Sequence, residues 1–324
     1  MVRLAAWIFR AFVAIFVGMA VASAANAAAP ASKPAAKSAQ KQIGKPAKAG
    51  SNVVYAHPAM WTVHGPAATV YLLGSIHVLP KNVQWRTPAI DAAFNSADVF
   101  VFEIPMNEAQ QKAQITDFIR QNGLLPPGMA LPSLLTADIR KDYTQALAMT
   151  HVQPELLTPM RPWLAALTLE SGINNNEHMS TDAGVDRTVY GLAQKKTGVT
   201  FRAFETPEQQ LKLLMPEDQS LEVQEFDANL KEMLSERAQV HELLSYWEHG
   251  DVQKLNALMH TGFHNDPRAE KALFENRNRA WIVQLKKMLA ENHTFFVTVG
   301  AGHLAGPKGV PALLRHEGYK VDGP

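Results

Sequence analysis

Short apolar runs and longer apolar stripes alternate along this chain. Residues 60–63 and 69–73, parted by Gly65-Pro66, are dense in β-branched and aromatic side chains and read as a hairpin. Thr87 before Pro88 marks the start of a helix through Asn95, and residues 98–104 are the next strand. Strand, helix, strand at this spacing is a βαβ unit with parallel strands and a right-handed crossover. The pattern recurs as a helical run over 185–196, Gly198, and a strand over 199–204. Thr206, Pro207 and Gln209 then form the capping box of another helix. Residues 295–299 make a last strand.

The middle of the chain is mostly helical. Val223, Phe226, Leu230, Leu234, Val240, Leu244 and Trp247 follow a spacing of three to four residues or its multiples, a long amphipathic helix interrupted at Arg237. Another helix begins near Asp266-Pro267, with the stripe Phe274, Arg277, Trp281, Leu285 and Met288. The fold class expected is α/β: a mostly parallel central sheet from βαβ units with a helical middle insertion.

Polar residues stand where these strands end. Gly74-Ser75-Ile76-His77 and Gly300-Ala301-Gly302-His303 are two Gly-x-x-His loops from opposite ends of the folded part, each following a strand. Glu103 and Glu205 end two others. In a parallel sheet the C-terminal ends share one edge, where open α/β sheets place their ligands, so the four residues are candidates for one site. Glu205, at a helix entrance, could equally be solvated. Arg277 on an apolar stripe either snorkels from its edge or, if buried, must meet a carboxylate, backbone carbonyls or a bound anion.

The first residues change the picture of where the protein works. Arg3 and Arg10 flank a charged start, an apolar stretch follows through Val21, and Ala25-Asn26-Ala27 offers a small-x-small cleavage site. Residues 1–27 therefore read as a secretory signal, which points to the periplasm or beyond, in the cell envelope. Its apolar core of about a dozen residues falls short of the roughly 20 that span a bilayer, so no transmembrane helix is expected in the mature chain. Residues 28–50 are almost wholly Ala, Lys, Pro, Ser, Gln and Gly, with Ile43 the one large aliphatic residue, and read as a disordered linker. Residues 51–324 form the α/β domain.

The chain has no cysteine, which excludes disulfides, thiolate nucleophiles and Cys-ligated zinc. It carries 31 Lys and Arg against 30 Asp and Glu, without the basic stripe of a nucleic-acid binder. Histidine with carboxylate suits a divalent metal (Mn, Co or Zn), which lowers the pKa of bound water toward about 7. Gly74 and Gly300 are expected to let the strand turn sharply and bring each His close. Competing signatures fail. There is no Gly-x-Ser-x-Gly elbow, and His241-Glu242-Leu243-Leu244-Ser245 lacks a zincin's second histidine. Residues 300–305 match a dinucleotide fingerprint, with Asp322 near the right distance, but Pro307 and Gly309 interrupt the helix that should follow. His178, in a polar loop, is a candidate for the rim of the site.

Taken in order, Tyr71-Leu72-Leu73-Gly74-Ser75-Ile76-His77, the Glu103 strand, Gly184-Val185-Asp186, 204–211, Arg277-Asn278 with Trp281, and 299–306 resemble the TraB/GumN family, whose animal members include the Tiki metalloproteases. The resemblance implies a fold related to erythromycin-esterase-like proteins and an active centre at His77, Glu103 and His303. Glu205, Arg277 and Asn278 are supporting matches. Asn276 stands where relatives often carry a glutamate, and Ala305-Gly306-Pro307 departs from the second loop's usual form. The reading that follows is an exported metal-dependent hydrolase, a peptidase acting on a peptide or protein substrate, with His77, Glu103 and His303 on the metal. Two alternatives stand beside it: a non-catalytic protein of the cell envelope that binds peptide or polysaccharide, and a metal-independent esterase using a His and Glu pair.

Overall fold

The computed structural model describes residues 53–176, 179–216, 218–235, 237–261 and 267–324. The expected signal 1–27, the expected linker 28–50 and His178 lie outside them. A six-stranded sheet forms the centre, built from β1 (Met60–His64), β2 (Thr69–Ser75), β3 (Val99–Phe102), β4 (Thr200–Ala203), β5 (Thr294–Gly300) and β6 (Lys320–Asp322). Their order across the sheet is β6-β1-β2-β5-β3-β4. Strands β2, β5, β3 and β4 pair in parallel, while β1 is antiparallel to both neighbours. The hairpin and the α/β alternation expected from the sequence are present. Strand β5, however, lies between β2 and β3, so the two strands of the first βαβ unit are not neighbours.

Both faces of the sheet are covered, as parallel strands require. All four residues of β3 are buried, and their alternation splits them between two cores. Phe100 and Phe102 join the larger core with Phe296 and Leu73, while Val99 and Val101 join the second with Val70, Leu72, Phe295 and Val297. Helix α1 (Pro88–Ser96) lays Ile90, Ala93 and Phe94 on the first face, and Thr87 caps it by accepting the Ile90 N–H at 3.3 Å. Helices α2 (Glu108–Asn122), α3 (Pro162–Asn176) and α4 (Val185–Ala193) belong to the same side through Phe118, Leu164 and Val189. Helix α5 (Pro207–Lys212) opens with the expected capping box, in which Thr206 and Gln209 each accept the other's backbone N–H.

The central stripe lies on α6 (Glu222–Ser235) and α7 (Arg237–Glu248), the helical stretches described on either side of residue 236. The stripe around Arg277 belongs to α8 (Asn276–Leu289), entered through a π-helical segment at Lys271–Glu275. Trp281, Ile282, Leu285 and Met288 of α8 cover the second face. Among the described residues no helix is long and apolar enough to cross a membrane.

Candidate active site

The strand ends bring four chain segments to one edge. Glu205 N–H donates to the Glu103 carbonyl at 2.8 Å, carrying the β3–β4 ladder past both strands and setting the two glutamates side by side. Ser75 and Gly300 are register partners at the ends of β2 and β5. A Cβ built on Gly300 would stand 3.1 Å from Glu103 Oε1, 3.5 Å from His77 Nε2 and 3.7 Å from His303 Cδ2. Residues far apart in sequence thus surround one backbone atom. Neither Gly74 nor Gly300 has a positive φ, so no sharp turn depends on them. What they provide is room: a Cβ on Gly74 would lie 3.0 Å from that of Ala301, and the Gly300 N–H donates to Glu103 Oε1 at 2.7 Å.

Arg277 is buried at the middle of this edge. Its Nη2 donates to Glu103 Oε2 at 2.6 Å and to Glu205 Oε2 at 2.9 Å, and its Nε donates to Glu205 Oε1 at 2.8 Å. Its Nη1 reaches the Leu273 carbonyl at 3.1 Å and His303 Nε2 at 2.9 Å. Gln210 donates to both glutamates, at 2.8 and 3.2 Å, and Trp281 Nε1 donates to Glu205 at 2.9 Å. The guanidinium on the apolar stripe therefore meets two carboxylates and a carbonyl, the condition for burying it.

His303 is enclosed with it. The Trp281 ring lies 4.3 Å from the imidazole and Phe274 5.0 Å away. Since Arg277 can only donate, His303 Nε2 accepts, and the ring proton sits on Nδ1, donated to Asn278 Oδ1 at 2.6 Å. Asn278 is held in turn by donating Nδ2 to the Lys308 carbonyl at 2.9 Å. Burial first, and the Arg277 charge second, push the His303 pKa well below the ordinary histidine range, so the ring is neutral at neutral pH. Glu103 goes the other way: burial would raise it, but Arg277, His303, His77 and the Gly300 N–H outweigh burial and hold it down at about 2.

His77 stands in a different setting, at the rim, with 14 % of its side chain exposed. Its Nδ1 lies 3.1 Å from Asp186 Oδ1, which also accepts the Ser75 hydroxyl at 3.0 Å. Asp186 is in the first turn of α4, and that helix is docked onto the loop by Val185 N–H donating to the Ile76 carbonyl at 3.0 Å. Gly184 makes the docking feasible, because a Cβ there would fall 2.2 Å from the His77 carbonyl oxygen. An aspartate facing Nδ1 favours the proton on that nitrogen and leaves Nε2 as the lone-pair side.

The model of the TraB/PrgY/gumN family matches residues 59–323, nearly all of the described fold. The chain belongs to this family. An uncharacterized protein of Treponema pallidum (strain Nichols) is 24 % identical to this family member over 270 residues, covering 79 % of each chain. No solved structure matches it.

In this TraB/PrgY/gumN protein the six residues singled out from the sequence, His77, Glu103, Glu205, Arg277, Asn278 and His303, form one connected constellation. Three residues joined to it were not singled out: Ser75, Asp186 and Gln210. Asp186 and Gln210 lay inside quoted stretches, but an acid in a helix's first turn and an amide on a helix face are commonplace. The Mn, Co or Zn site expected at His77, Glu103 and His303 does not fit this arrangement. Glu103 Oε2 and His303 Nε2 both face Arg277, and a metal ligand would have to give up that bond. Among the described residues no group of three His, Asp or Glu is placed to hold a metal ion.

Proposed function

We propose that the protein is an exported hydrolase that opens an acyl bond, peptide or ester, with water activated by His77 rather than by a metal held between His77, Glu103 and His303. The observation that carries this reading is the pairing of His77 with Asp186 at a partly open rim, Nε2 turned toward Gly300 and the ring's far side backed by carboxylate. His77 Nε2 takes a proton from water, the hydroxide adds to the carbonyl carbon, and the imidazolium returns the proton to the leaving nitrogen or oxygen as that bond breaks. Asp186 and Ser75 hold the ring and steady its transient charge. Glu103, Glu205 and Arg277 form the fixed charged floor. Export rests on the signal-like residues 1–27.

The test is an assay on a peptide library and on a panel of esters, in chelator and again with added Mn, Co or Zn. Turnover in chelator that falls at least about a hundredfold in His77→Ala is the expected result. Turnover only with added metal returns the metal-dependent peptidase, and none under any condition leaves a binding protein; either overturns the proposal.

A further inference from the structure

Two helices from the middle of the chain reach the histidine loops from outside the sheet. Helix α7 and the helix that follows it, Val252–Thr261, pack together, and each touches a different Gly-x-x-His loop. Trp247, buried near the end of α7, donates its indole N–H to the Gly74 carbonyl at 2.9 Å. From the second helix, Met259 lies against Gly302 so closely that a Cβ there would overlap its sulfur and methyl group. Gly74 opens the loop that ends in His77, and Gly302 immediately precedes His303.

The bond to Gly74 sits where the sheet stops supplying partners. Strand β1 begins at Met60, opposite Leu73, so Gly74 and Ser75 run past its end, while on the other side β5 accompanies β2 as far as Ser75. Trp247 stands on the β1 side, lining one narrow crevice with Gly74, Ala59 and Trp61. Its indole N–H thus takes over where β1 has not yet begun, at a buried carbonyl that would be costly to leave without a donor. The donor is anchored independently of the loop. The His57 N–H donates to the Glu248 carbonyl at 2.6 Å and the Asp251 N–H to the Tyr246 carbonyl at 2.9 Å, on either side of Trp247, whose ring belongs to the larger core. Any buried indole needs an acceptor. Here the acceptor is the end of the strand from which Ser75 and His77 project, and the donor belongs to a separately held helix.

We propose that Trp247 is a positioning residue for His77: by holding the Gly74 carbonyl it fixes the end of β2, and with it the place where the ring meets Asp186 and faces Gly300. Its part in the reaction rests on the hydrolase reading; its part in placing the ring does not. Trp247→Phe removes the N–H and keeps an aromatic ring in the core. In the full chain, heteronuclear NMR of the histidine rings should show the His77 signals displaced and those of His303 in place, and Met259→Ala, which loosens the other loop, should do the reverse. On a substrate that the parent hydrolyses, kcat should fall about tenfold or more with KM within about twofold, as a small misplacement of a reacting group causes. Should the Phe variant fail to fold, benzothienylalanine at position 247, which keeps both rings and lacks the N–H, carries the same test. His77 signals that stay in place in the folded variant, or that move no more than those of His303, would overturn the assignment, and so would an unchanged kcat. Absence of turnover in the parent would remove the hydrolase reading alone, because the ring signals need no substrate.

Discussion

The two Gly-x-x-His loops end in the same residue and diverge in what surrounds it. His77 sits at the rim with an aspartate at Nδ1, and His303 sits in an aromatic enclosure with an asparagine at Nδ1 and a guanidinium at Nε2. A carboxylate behind an imidazole supports the charge the ring takes on when it accepts a proton. A carboxamide gives no such support, and a neighbouring cation opposes it. One histidine is thus equipped to move a proton, and the other to hold an arginine in place. A shared motif fixes where the ring arrives, and the atoms facing its two nitrogens decide its chemistry.

That contrast can be broken most severely at the rim. Asp186→Asn keeps the shape but favours the wrong tautomer, so the hydrolytic rate should fall by about 10³–10⁴-fold with substrate binding little changed; equal rates in variant and parent would remove Asp186 from the chemistry. At the centre, Arg277→Ala leaves two carboxylates buried without their cation. Urea unfolding should then show a loss of about 3–5 kcal/mol, and a loss below 1 kcal/mol would mean the guanidinium is not the keystone described.

A third measurement follows the proton. The Glu103 pKa is lowered from 4.5 to about 2, so its contribution to stability is complete above pH 4.5 and is lost as pH falls toward 2. Folding free energy should drop by on the order of 3 kcal/mol across that window, and Glu103→Gln should flatten that part of the profile. His303 has the same sign at higher pH. Its ring stays neutral when folded while the unfolded ring gains a proton below about pH 6.5, so stability declines on acidification from there. The gentlest change is Asn278→Asp, which gives His303 the partner His77 has. By NMR the parent's His303 should not titrate between pH 5 and 8, whereas the variant's should; two flat curves would show that burial and Arg277 keep the ring neutral whatever faces Nδ1.

Much of this arrangement was legible in the residues. Runs dense in β-branched and aromatic residues located the strands, Thr87 and Thr206 announced their helices, and one of the two readings of an arginine on an apolar stripe called for the carboxylate partners it has. Strand ends were recognisable as the place for His77, Glu103, Glu205 and His303. What could not be read was adjacency. Nothing in β5 says that it slips between β2 and β3, because apolar alternation marks a strand's faces and not its neighbours. The pairing of Asp186 with His77 depends on how closely Gly184 lets α4 approach, a contact in space with no periodic signature. The metal expectation came from donor types, the paired Gly-x-x-His loops and the family resemblance. None of these says that a guanidinium already bonds both Glu103 and His303.

The placement of β5 also fixes when the site can form. Gly300 and Glu103, which share a hydrogen bond at the heart of the site, are 197 positions apart in the chain. Pairing across so long a loop is slow, because its closure entropy must be met before the contacts that reward it. A nascent or truncated chain that ends before β5 has an open gap in mid-sheet and lacks both His303 and the Gly300 N–H that holds Glu103, so the site is incomplete. The constellation is complete only when the last quarter of the polypeptide inserts its strand between β2 and β3.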